Sequence, residues 1–331
     1  MSSLLVLSRT DLETLLSPVD VVETLADAFR RYAAGLTTVP SRGVTPVTDD
    51  AVLFVMPAVV RPGHEADGAV GVKLVSVYPG NRARGHPTIQ AAYVLMEVET
   101  GAPLALLEGT YVTALRTGAT SALAARYLAR PDAGRIACFG AGVQAAFQLR
   151  CLAAVLPITR VDLVARDPER ADRFARLTAH DLGVPVTLRA DARAAVRDAD
   201  VITCATTSVS PVVFGSDVRA GAHVDAVGAF RPDAREVDTA LVRRARVVVD
   251  TYAGAGEEAG DILIPLREGA IDHAHVAAEL AELVTGAKPG RRSPDEVTLF
   301  KSVGFALEDL ATARLAYHRA RQRGIGTEVS L

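Results

Sequence analysis

The spacing of apolar residues along this chain changes near residue 50 and again near residue 117. Over residues 17–35 apolar side chains recur at helical spacing, with Ser17 as a cap and Pro18 in the first turn, and the pattern stops at Gly35. Beyond residue 50 the pattern favours strands separated by turn residues, at 52–56, 70–77, 90–98 and 104–107. The N-terminal part is therefore predicted to be a mixed α+β unit whose sheet is largely antiparallel.

From about residue 117 the chain alternates between helical and strand patterns. A helix is predicted at 118–129, and later helices at 168–180 and 191–198 follow the capping residues Asp167 and Asp191. Short apolar runs between the helices predict strands near 136–139, 161–165, 185–188, 201–204, 223–227 and 246–249. This alternation is typical of a doubly wound parallel sheet, so the fold class is predicted to be α/β.

The last apolar stretch predicts one long helix from Leu299 to Arg321, after the turn residues Pro294-Asp295-Glu296. We expect a helix of this length to extend beyond one domain and to return the chain to its N-terminal part. The predicted architecture is therefore a Rossmann-type domain at 117–304, inserted into a mixed α+β domain made of 1–116 and 305–331.

A glycine-rich turn, Gly140-Ala-Gly-Val-Gln-Ala145, follows the predicted strand at 136–139. Gly140 allows a tight turn, Gly142 lets backbone N–H groups approach a pyrophosphate at a helix N-terminus, and Ala145 lets that helix pack against the sheet. The motif is weak alone, but the next strand pattern ends at Ala165, at the distance where the ribose-contacting residue of a dinucleotide site belongs. This placement predicts a dinucleotide-binding domain.

The residues after that second strand predict which dinucleotide is bound. An NAD site usually carries Asp or Glu there, which accepts hydrogen bonds from the ribose 2′-hydroxyl. This chain has Ala165, whose side chain cannot accept one, followed by Arg166, which can pair with a 2′-phosphate. NADPH is therefore the expected cofactor, with NADH as a second candidate. In the alternative interpretation, Arg166 is a solvated surface residue and Asp167 only caps the next helix.

Three cations stand out in the α+β domain. Arg42 follows Pro40-Ser41, Lys73 lies within an apolar strand pattern, and Arg116 lies at the predicted junction of the two domains. Each alone is more readily explained as a surface charge or a salt bridge. Together they could bind a carboxylate, since arginine offers a planar bidentate fork and lysine a point charge.

Composition narrows the classes of function. The 331 residues exceed what one core usually needs, so two domains are expected. A net charge of −3 gives no electrostatic basis for binding nucleic acid or an anionic membrane. No apolar run approaches the ~20 residues of a membrane span, and no basic, apolar leader is visible, so a cytoplasmic location is expected.

The cysteines Cys138, Cys151 and Cys204 stand alone, without a C-x-x-C pair. Two of them lie in predicted core strands, so buried thiols in a reducing compartment are expected rather than disulfides. No spacing of His, Cys or carboxylate residues suggests a metal site, and no nucleophile elbow or P-loop is present. Metal-dependent and serine-nucleophile chemistry are therefore not expected.

Five segments resemble the ornithine cyclodeaminase/μ-crystallin family, in that family's order and across nearly the whole chain. They are Gly71–Asn81, Pro87–Gln90, Thr113–Ala119, Gly140–Ala145 and Phe300–Gly304. The resemblance implies a homodimer whose α+β domain binds substrate and dimerises. It also implies that Arg42, Lys73 and Arg116 bind the substrate carboxylate. The residues implied to contact the dinucleotide, besides the glycine turn, are Thr88, Val143, Gln144, Thr206, Val227 and Ser302.

One departure from the family discriminates among its activities. The cyclodeaminases resemble one another in an acid where this chain has Phe230, and phenylalanine can neither accept a proton nor orient water. The run from Phe230 to Glu236 looks more like the ketimine-reductase branch. The leading hypothesis is therefore an NAD(P)H-dependent reductase of a small cyclic α-imino acid, with hydride transfer to the C=N carbon.

Three alternatives stay open at this point. One is an ornithine cyclodeaminase in which Asp233 replaces the missing acid, and another is an amino-acid dehydrogenase of the alanine type. The third is a non-catalytic NADPH-binding protein, since a fold does not fix a function.

Overall fold

A computed structural model of the chain describes residues 3–62 and 68–330. It divides into two compact units, of which unit 1 comprises Met1–Arg116 with Phe305–Leu331 and unit 2 comprises Thr117–Gly304. The helices in chain order up to residue 128 are α1 (Arg9–Leu15), α2 (Pro18–Ala33) and α3 (Gly109–Leu128). The strands over the same residues are β1 (Ser3–Leu7), β2 (Thr37–Thr38), β3 (Gly43–Pro46), β4 (Val52–Val60), β5 (Ala69–Val77), β6 (Ile89–Met96) and β7 (Pro103–Glu108).

The remaining elements complete both units, with short 3-10 turns at Pro79–Arg84 and His273–His275. The helices are α4 (Val143–Ala153), α5 (Pro168–Leu182), α6 (Ala192–Asp198), α7 (Thr239–Arg244), α8 (Tyr252–Glu258), α9 (Gly260–Arg267), α10 (Leu280–Val284) and α11 (Ala306–Arg323). The strands are β8 (Arg135–Phe139), β9 (Arg160–Val164), β10 (Val186–Leu188), β11 (Val201–Cys204), β12 (His223–Ala226), β13 (Arg246–Val249), β14 (Val276–Glu279), β15 (Thr298–Lys301) and β16 (Thr327–Ser330).

Unit 1 is built on a sheet of strand order β16-β1-β7-β6-β5-β4-β2, with β3 also paired to β4. Its neighbouring strands run antiparallel except for β1 and β7, which run parallel. The predicted antiparallel character is therefore confirmed. Helix α2 begins as predicted, because the Ser17 hydroxyl accepts from the backbone N–H of Asp20 at 3.3 Å and Pro18 occupies the first turn.

Unit 2 is a parallel sheet of strand order β10-β9-β8-β11-β12-β15-β13-β14. The order reverses between β8 and β11, which is the switch point of a doubly wound fold. The predicted doubly wound sheet is confirmed, and the strands predicted at 201–204 and 246–249 match β11 and β13. Asp167 and Asp191 accept hydrogen bonds from first-turn N–H groups of α5 and α6, so both predicted caps are confirmed.

The long C-terminal helix predicted from Leu299 to Arg321 is wrong at its start. Leu299 and Phe300 lie in β15, between β12 and β13, and are fully buried. A short apolar run buried on both faces of a sheet cannot be told from helix by its periodicity. Gly304, with φ of +92°, separates this strand from α11. The helix therefore lies wholly within unit 1, rather than extending beyond one domain as expected.

The helix predicted at 118–129 begins earlier, at Gly109. The Glu108 carboxylate accepts from the N–H groups of Thr110 and Tyr111, at 2.9 and 2.8 Å, and so closes the helix start. Gly118, the first residue of the predicted helix, lies inside α3, where close packing requires glycine. A Cβ there would lie 2.5 Å from the carbonyl oxygen of Phe147.

Candidate functional site

Two buried cations of unit 1 meet at one carboxylate. Lys73 lies on β5 and is 1% exposed, and Arg116 lies in α3 and is 4% exposed. The Lys73 Nζ is 2.7 Å from Oδ2 of Asp309, and the Arg116 Nε donates to Oδ1 of the same residue at 3.0 Å. Arg116 also donates through Nη1 to Oε2 of Glu308 at 2.6 Å. The structure thus brings together two of the three cations proposed from the sequence.

The local sequence explains why these charges are buried together. Alternate residues of β5 face opposite sides of the sheet, and Lys73 lies on the buried side with Ala69 and Val75. Helix α11 packs against β5 and presents Glu308 and Asp309 from its first turn, where the helix dipole favours acidic side chains. The strand supplies the cation, and the helix supplies its counter-charges.

The two cations differ in how firmly they hold their protons. Burial, together with the neighbouring Arg116, lowers the pKa of Lys73 to about 8, although Asp309 opposes the shift. Burial alone would lower the pKa of Arg116, but the carboxylates of Asp309 and Glu308 outweigh it and raise that pKa. The cluster therefore contains one permanent cation and one cation that can titrate near neutral pH.

Arg42, the third proposed cation, is held on the same side of the sheet as Lys73. Its guanidinium carbon lies 4.6 Å from the ring centre of Phe54 on β4. Phe54 and Met56 share one face of β4, and Met56 pairs across the sheet with Lys73. Stacking on an aromatic ring is a favourable placement for a guanidinium group.

Glu308 and Asp309 were not predicted as site residues. The predicted helix began at Leu299, so both acids fell inside it rather than in the first turn of α11. A signal was available in Ala306-Leu-Glu-Asp-Leu310, where two adjacent acids stand among apolar residues. Acids in such a setting are buried only when they are paired. Tyr93 was missed as well, although it is fully buried and pairs with Lys73 in the register of β5 and β6.

The predicted cofactor contact Thr88 also lies in unit 1, just before β6. Its carbonyl accepts from the backbone N–H of Tyr78 at 2.8 Å, so this loop has a defined backbone position. The role of Thr88 toward a dinucleotide stays a prediction.

In unit 2 the turn after β8 has a backbone conformation that requires glycine. Gly140 has φ of +109°, and a Cβ there would lie 2.6 Å from the carbonyl oxygen of Ala205. Gly142 is the N-cap of α4 and makes no side-chain cap bond. Val143, which is 61% exposed, and Gln144 form the first helical turn. The helix start therefore presents backbone N–H groups at an exposed position, a cradle that fits a dinucleotide pyrophosphate.

Two arginines lie near the carboxyl end of β9. Arg166 is exposed, and Asp167 caps α5 by accepting from the N–H of Arg170 at 3.1 Å. Arg170, which sequence reasoning missed, donates through Nε to the carbonyl oxygen of Ala141 at 3.0 Å. Arg170 is thus hydrogen-bonded to the glycine turn, whereas Arg166 is exposed two residues after the end of β9, and its role toward a 2′-phosphate stays a prediction.

The other proposed cofactor contacts of unit 2 follow three further strands of the parallel sheet. Thr206 comes after β11, Val227 after β12 and Ser302 after β15. The Thr206 hydroxyl donates to Oε1 of Glu236 at 2.7 Å, and the Ser302 hydroxyl donates to Oδ2 of Asp250 at 2.9 Å. All three lie at carboxyl ends of strands, the edge where α/β sheets bind ligands.

The three cysteines are free and buried, which confirms their predicted burial. Burial raises the pKa of Cys138 and of Cys151 to about 12, so neither is a reactive thiolate. Within residues 3–62 and 68–330, no group of three or more His, Cys, Asp or Glu residues is arranged to hold a metal ion. Over the same stretches, no helix combines the length and apolarity needed to cross a membrane.

Comparison with known proteins identifies the family. The sequence profile described as the ornithine cyclodeaminase/mu-crystallin family matches residues 3–324. The chain belongs to this family. The predicted resemblance is thereby confirmed over almost the full length of the chain.

Relatives in the ornithine cyclodeaminase/mu-crystallin family align end to end with this chain. The Δ1-pyrroline-2-carboxylate reductase of Bacillus cereus is 37% identical over 98% of this chain and 99% of its own. The Thermococcus litoralis Δ1-pyrroline-2-carboxylate reductase, solved in complex with NADH and L-proline, has a TM-score of 0.95 and 43% identity, covering 98% of this chain and 100% of its own. An archaeal alanine dehydrogenase dimer with bound NAD has a TM-score of 0.92 and 34% identity, covering 100% of both chains.

The prediction of reduction rather than cyclodeamination depends on the residues around Phe230. Phe230 is half-buried and packs against the core of unit 2. The side chain of Asp233 is 61% exposed, and its Oδ1 accepts from Nε of Arg231 at 3.0 Å. This hydrogen bond lowers the pKa of Asp233. The structure therefore gives Asp233 a surface ion pair.

Proposed function

We propose that this chain is an NAD(P)H-dependent reductase of a small cyclic α-imino acid of the Δ1-pyrroline-2-carboxylate type. The observation that carries the proposal is the buried pair of Lys73 and Arg116 around Asp309, on a sheet face that also carries Arg42. Family membership and the activities named for the Bacillus and Thermococcus relatives support it.

The charges of this site suit a substrate with one carboxylate. Lys73 and Arg116 face two protein carboxylates, those of Glu308 and Asp309, so the buried cluster is neutral when Lys73 is protonated. Arg42 adds one positive charge on the same side of the sheet, which a substrate carboxylate would neutralise. The guanidinium of Arg116 and the ammonium of Lys73 each have several N–H donors. Each can therefore donate to a substrate carboxylate while still donating to the protein carboxylate that it already binds.

Lys73 is the proposed proton donor to the imine nitrogen, directly or through a water molecule. With a pKa lowered to about 8, its ammonium group persists at neutral pH and yet gives up a proton more readily than an ordinary lysine. Protonation makes the C=N carbon more electrophilic. Arg116 stays charged throughout, so it holds the carboxylate while Lys73 changes its protonation state.

The dinucleotide is proposed to bind at the carboxyl edge of the unit 2 sheet, and when bound it supplies the hydride that adds to the imine carbon. Gly140 and Gly142 would let the backbone approach its pyrophosphate. Arg166 would pair with a 2′-phosphate, so NADPH is the proposed preferred cofactor. The Thermococcus and archaeal structures hold NADH and NAD, which supports the nicotinamide cofactor class.

The decisive experiment measures NADPH oxidation by the purified protein against a panel of substrates. We expect turnover with Δ1-pyrroline-2-carboxylate and its six-membered homologue, yielding the cyclic amino acid. Preferred turnover of pyruvate with ammonia would make the protein an amino-acid dehydrogenase instead. Ammonia release from ornithine with NAD⁺ would indicate a cyclodeaminase, and NADPH binding without any turnover would indicate a non-catalytic binding protein.

The proposed assembly is a homodimer formed through the outer face of the unit 1 sheet. The face of β5 opposite Lys73 carries Val70, Val72 and Leu74, and Leu74 is 41% exposed. The partly exposed apolar residues that continue this face on β4 and β6 are Leu53, Val55, Pro57, Val59, Ala92, Val94 and Met96. An apolar sheet face of this extent marks an interaction surface. The alanine dehydrogenase relative, solved as a dimer, favours a second copy as the occupant.

Charge placed on that face should separate the copies. We expect Val72→Asp to shift the protein from dimer to monomer in sedimentation velocity. Leu177→Asp, which introduces the same charge at a 59% exposed position on α5, should leave the dimer intact. A Val72→Asp protein that folds and stays dimeric would rule out this face as the interface.

A further inference from the structure

A fully buried carboxylate, that of Glu236, joins the loops that follow two adjacent strands of the unit 2 sheet. We name these the β11 loop (Ala205–Ser208) and the β12 loop (Val227–Phe230). Oε1 of Glu236 accepts from the backbone N–H and the hydroxyl of Thr206, both at 2.7 Å. Oε2 accepts from the N–H groups of Gly228 and Ala229, at 2.7 and 3.3 Å. One side chain thus accepts four hydrogen bonds and fixes both loops against each other.

A second buried pair holds Glu236 and the β12 loop in place. Oδ1 of Asp261 accepts from the backbone N–H groups of Glu236 and Val237, at 2.7 and 3.0 Å. Oδ2 of Asp261 lies 2.8 Å from Nζ of Lys301, and Lys301 also donates to the carbonyl oxygen of Ala229. The side chains of Lys301 and Asp261 are fully buried. Lys301 therefore connects the end of β15 both to Asp261 and to the loop that Glu236 binds.

The close approach of the two loops requires glycine at position 228. A Cβ on Gly228 would lie 2.5 Å from Oε1 of Glu236 and would also overlap backbone atoms of Thr206. Any larger residue would therefore have to push the loops apart. Gly228 and the carboxylate of Glu236 together set the distance between the β11 loop and the β12 loop.

The topology assigns this edge to one half of the cofactor. In a doubly wound sheet, each half on either side of the switch point binds one mononucleotide. The half with β8 and β9 carries the glycine turn and Arg166, and so it takes the pyrophosphate and the adenosine ribose. The other half, made of β11, β12 and β15, is left for the nicotinamide mononucleotide.

We propose that Glu236 is a positioning residue that sets the β11 and β12 loops for the nicotinamide half of the cofactor, with Asp261 and Lys301 holding it in place. The proposal rests on the proposed function, since it needs a bound nicotinamide dinucleotide. Glu236 acts through Thr206 and the Gly228–Ala229 amides, and it does not touch the reacting atoms. Its loss should therefore weaken binding of the nicotinamide half while leaving the adenosine half unaffected.

The test compares two ligands on the full-length protein. NADPH reports on both halves, and 2′,5′-ADP reports on the adenosine half alone. In Glu236→Gln the amide NH₂ would face backbone donors, so one loop loses its acceptor. We expect Glu236→Gln to raise the Kd for NADPH by about tenfold or more, the scale of a lost hydrogen bond to a charged group, with the Kd for 2′,5′-ADP within about twofold of wild type.

Gly228→Ala also displaces the two loops, but it does so sterically and keeps the carboxylate of Glu236. We expect the same pattern, a weaker NADPH complex with unchanged 2′,5′-ADP binding. If Glu236→Gln does not fold, this variant decides the question alone.

A matched control is available at the opposite edge of the same sheet. Asp200 precedes β11 and is also buried, and its Oδ2 accepts from the backbone N–H groups of Gly134 and Arg135, at 3.1 and 2.9 Å. We expect Asp200→Asn to lower the Tm while leaving both dissociation constants within about twofold of wild type.

Equal losses for NADPH and 2′,5′-ADP in the Glu236 and Gly228 variants would overturn the proposal, and so would unchanged NADPH binding. Both results would show that Glu236 stabilises the fold without positioning the cofactor. A wild-type protein that binds neither NADPH nor NADH would overturn the proposed function and this inference with it.

Discussion

Two buried carboxylates, that of Asp309 in unit 1 and that of Glu236 in unit 2, are hydrogen-bonded in different ways. In unit 1, Asp309 is satisfied by the side chains of Lys73 and Arg116. In unit 2, Oδ2 of Asp250 accepts from the backbone N–H groups of Val303 and Gly304, both at 2.8 Å, and Glu236 is bound mainly by backbone amides in the same way. A backbone donor is fixed by the chain, whereas a charged side chain can share its hydrogen bonds with an incoming group. The backbone-bound acids Asp250 and Glu236 therefore fix loops in unit 2, whereas Asp309 holds exchangeable cations in unit 1.

The largest expected effect comes from removing Lys73 or Arg116, the two cations that can share their hydrogen bonds with an incoming carboxylate. Arg116→Ala and Lys73→Ala should each lower kcat/KM for the cyclic imine by at least about 100-fold, or roughly 2.7 kcal/mol of transition-state stabilisation. Each variant removes a group that is proposed to bind the substrate carboxylate. It also leaves Asp309 with one of its two cationic partners. The measurement is initial-rate kinetics of NADPH oxidation on protein shown to be folded by circular dichroism.

Arg9→Ala serves as the control, because it removes a cation from an exposed pair with Glu13 on α1. Exposed pairs of this kind contribute little to stability. Near-normal turnover in a folded Lys73 or Arg116 variant would mean that the residue is only structural, and unit 1 would then resemble unit 2 in using buried charge for architecture.

The contrast between the units also explains what the sequence could reveal. The parallel sheet, the caps at Asp167 and Asp191 and the glycine turn follow from local patterns of a few residues, and each was predicted. The pairing of Lys73 with Asp309 joins positions 236 residues apart, and no local pattern records it. The misplaced start of α11 had the same origin, since β15 becomes a strand only through its two neighbours in the sheet.

The residues of the candidate site also divide into those that local sequence reveals and those that it does not. Lys73 and Arg42 attracted attention because a charge within an apolar or turn segment needs a reason. Glu236 did not, since it stands in a polar loop and its burial depends on where Thr206 and Gly228 are placed by tertiary structure. Charges satisfied by backbone amides are therefore the harder ones to find from sequence.

Arg166 carries an exposed charge, so the effect of its substitution can be compared with the effects at the buried charges. Arg166→Ala should weaken NADPH binding by about 1.5–3 kcal/mol, the scale of a charge-assisted contact, while NADH binding stays nearly unchanged. Because the side chain is exposed, the effect should shrink as ionic strength rises. Dissociation constants from fluorescence titration at two salt concentrations would measure it.

Arg170→Ala, in the first turn of the adjacent helix α5, is the matched comparison. Its Nε is bonded to the backbone of the glycine turn, so its loss should affect NADPH and NADH alike. Equal affinity of the wild-type protein for the two cofactors would contradict the assigned role of Arg166.

The pH dependence of the rate separates the titratable cation from the permanent one. Lys73 is protonated below its pKa of about 8 and loses its proton above it. If the ammonium form is required, kcat/KM for the imine falls by up to about tenfold per pH unit above pH 8. Lys73→Arg keeps the positive charge but cannot donate a proton in this range, so its rate should be lower at every pH and the part of the decline due to Lys73 should disappear. Identical profiles for both proteins would assign the decline to the imine itself.

The smallest expected effect is at Asp233, and it decides between reduction and cyclodeamination. Cyclodeamination needs an acid–base group beside the reacting carbon for the steps between oxidation and reduction, and Phe230 cannot act as one. Asp233 is exposed and paired with Arg231, whereas reduction of a preformed imine needs only the carboxylate-binding cations, a proton and a hydride. Asp233→Asn should therefore leave imine reduction within about twofold of wild type, and both proteins should release little ammonia from ornithine with NAD⁺. Conversion of ornithine to proline at a rate comparable to imine reduction, lost in Asp233→Asn, would instead identify Asp233 as the missing acid.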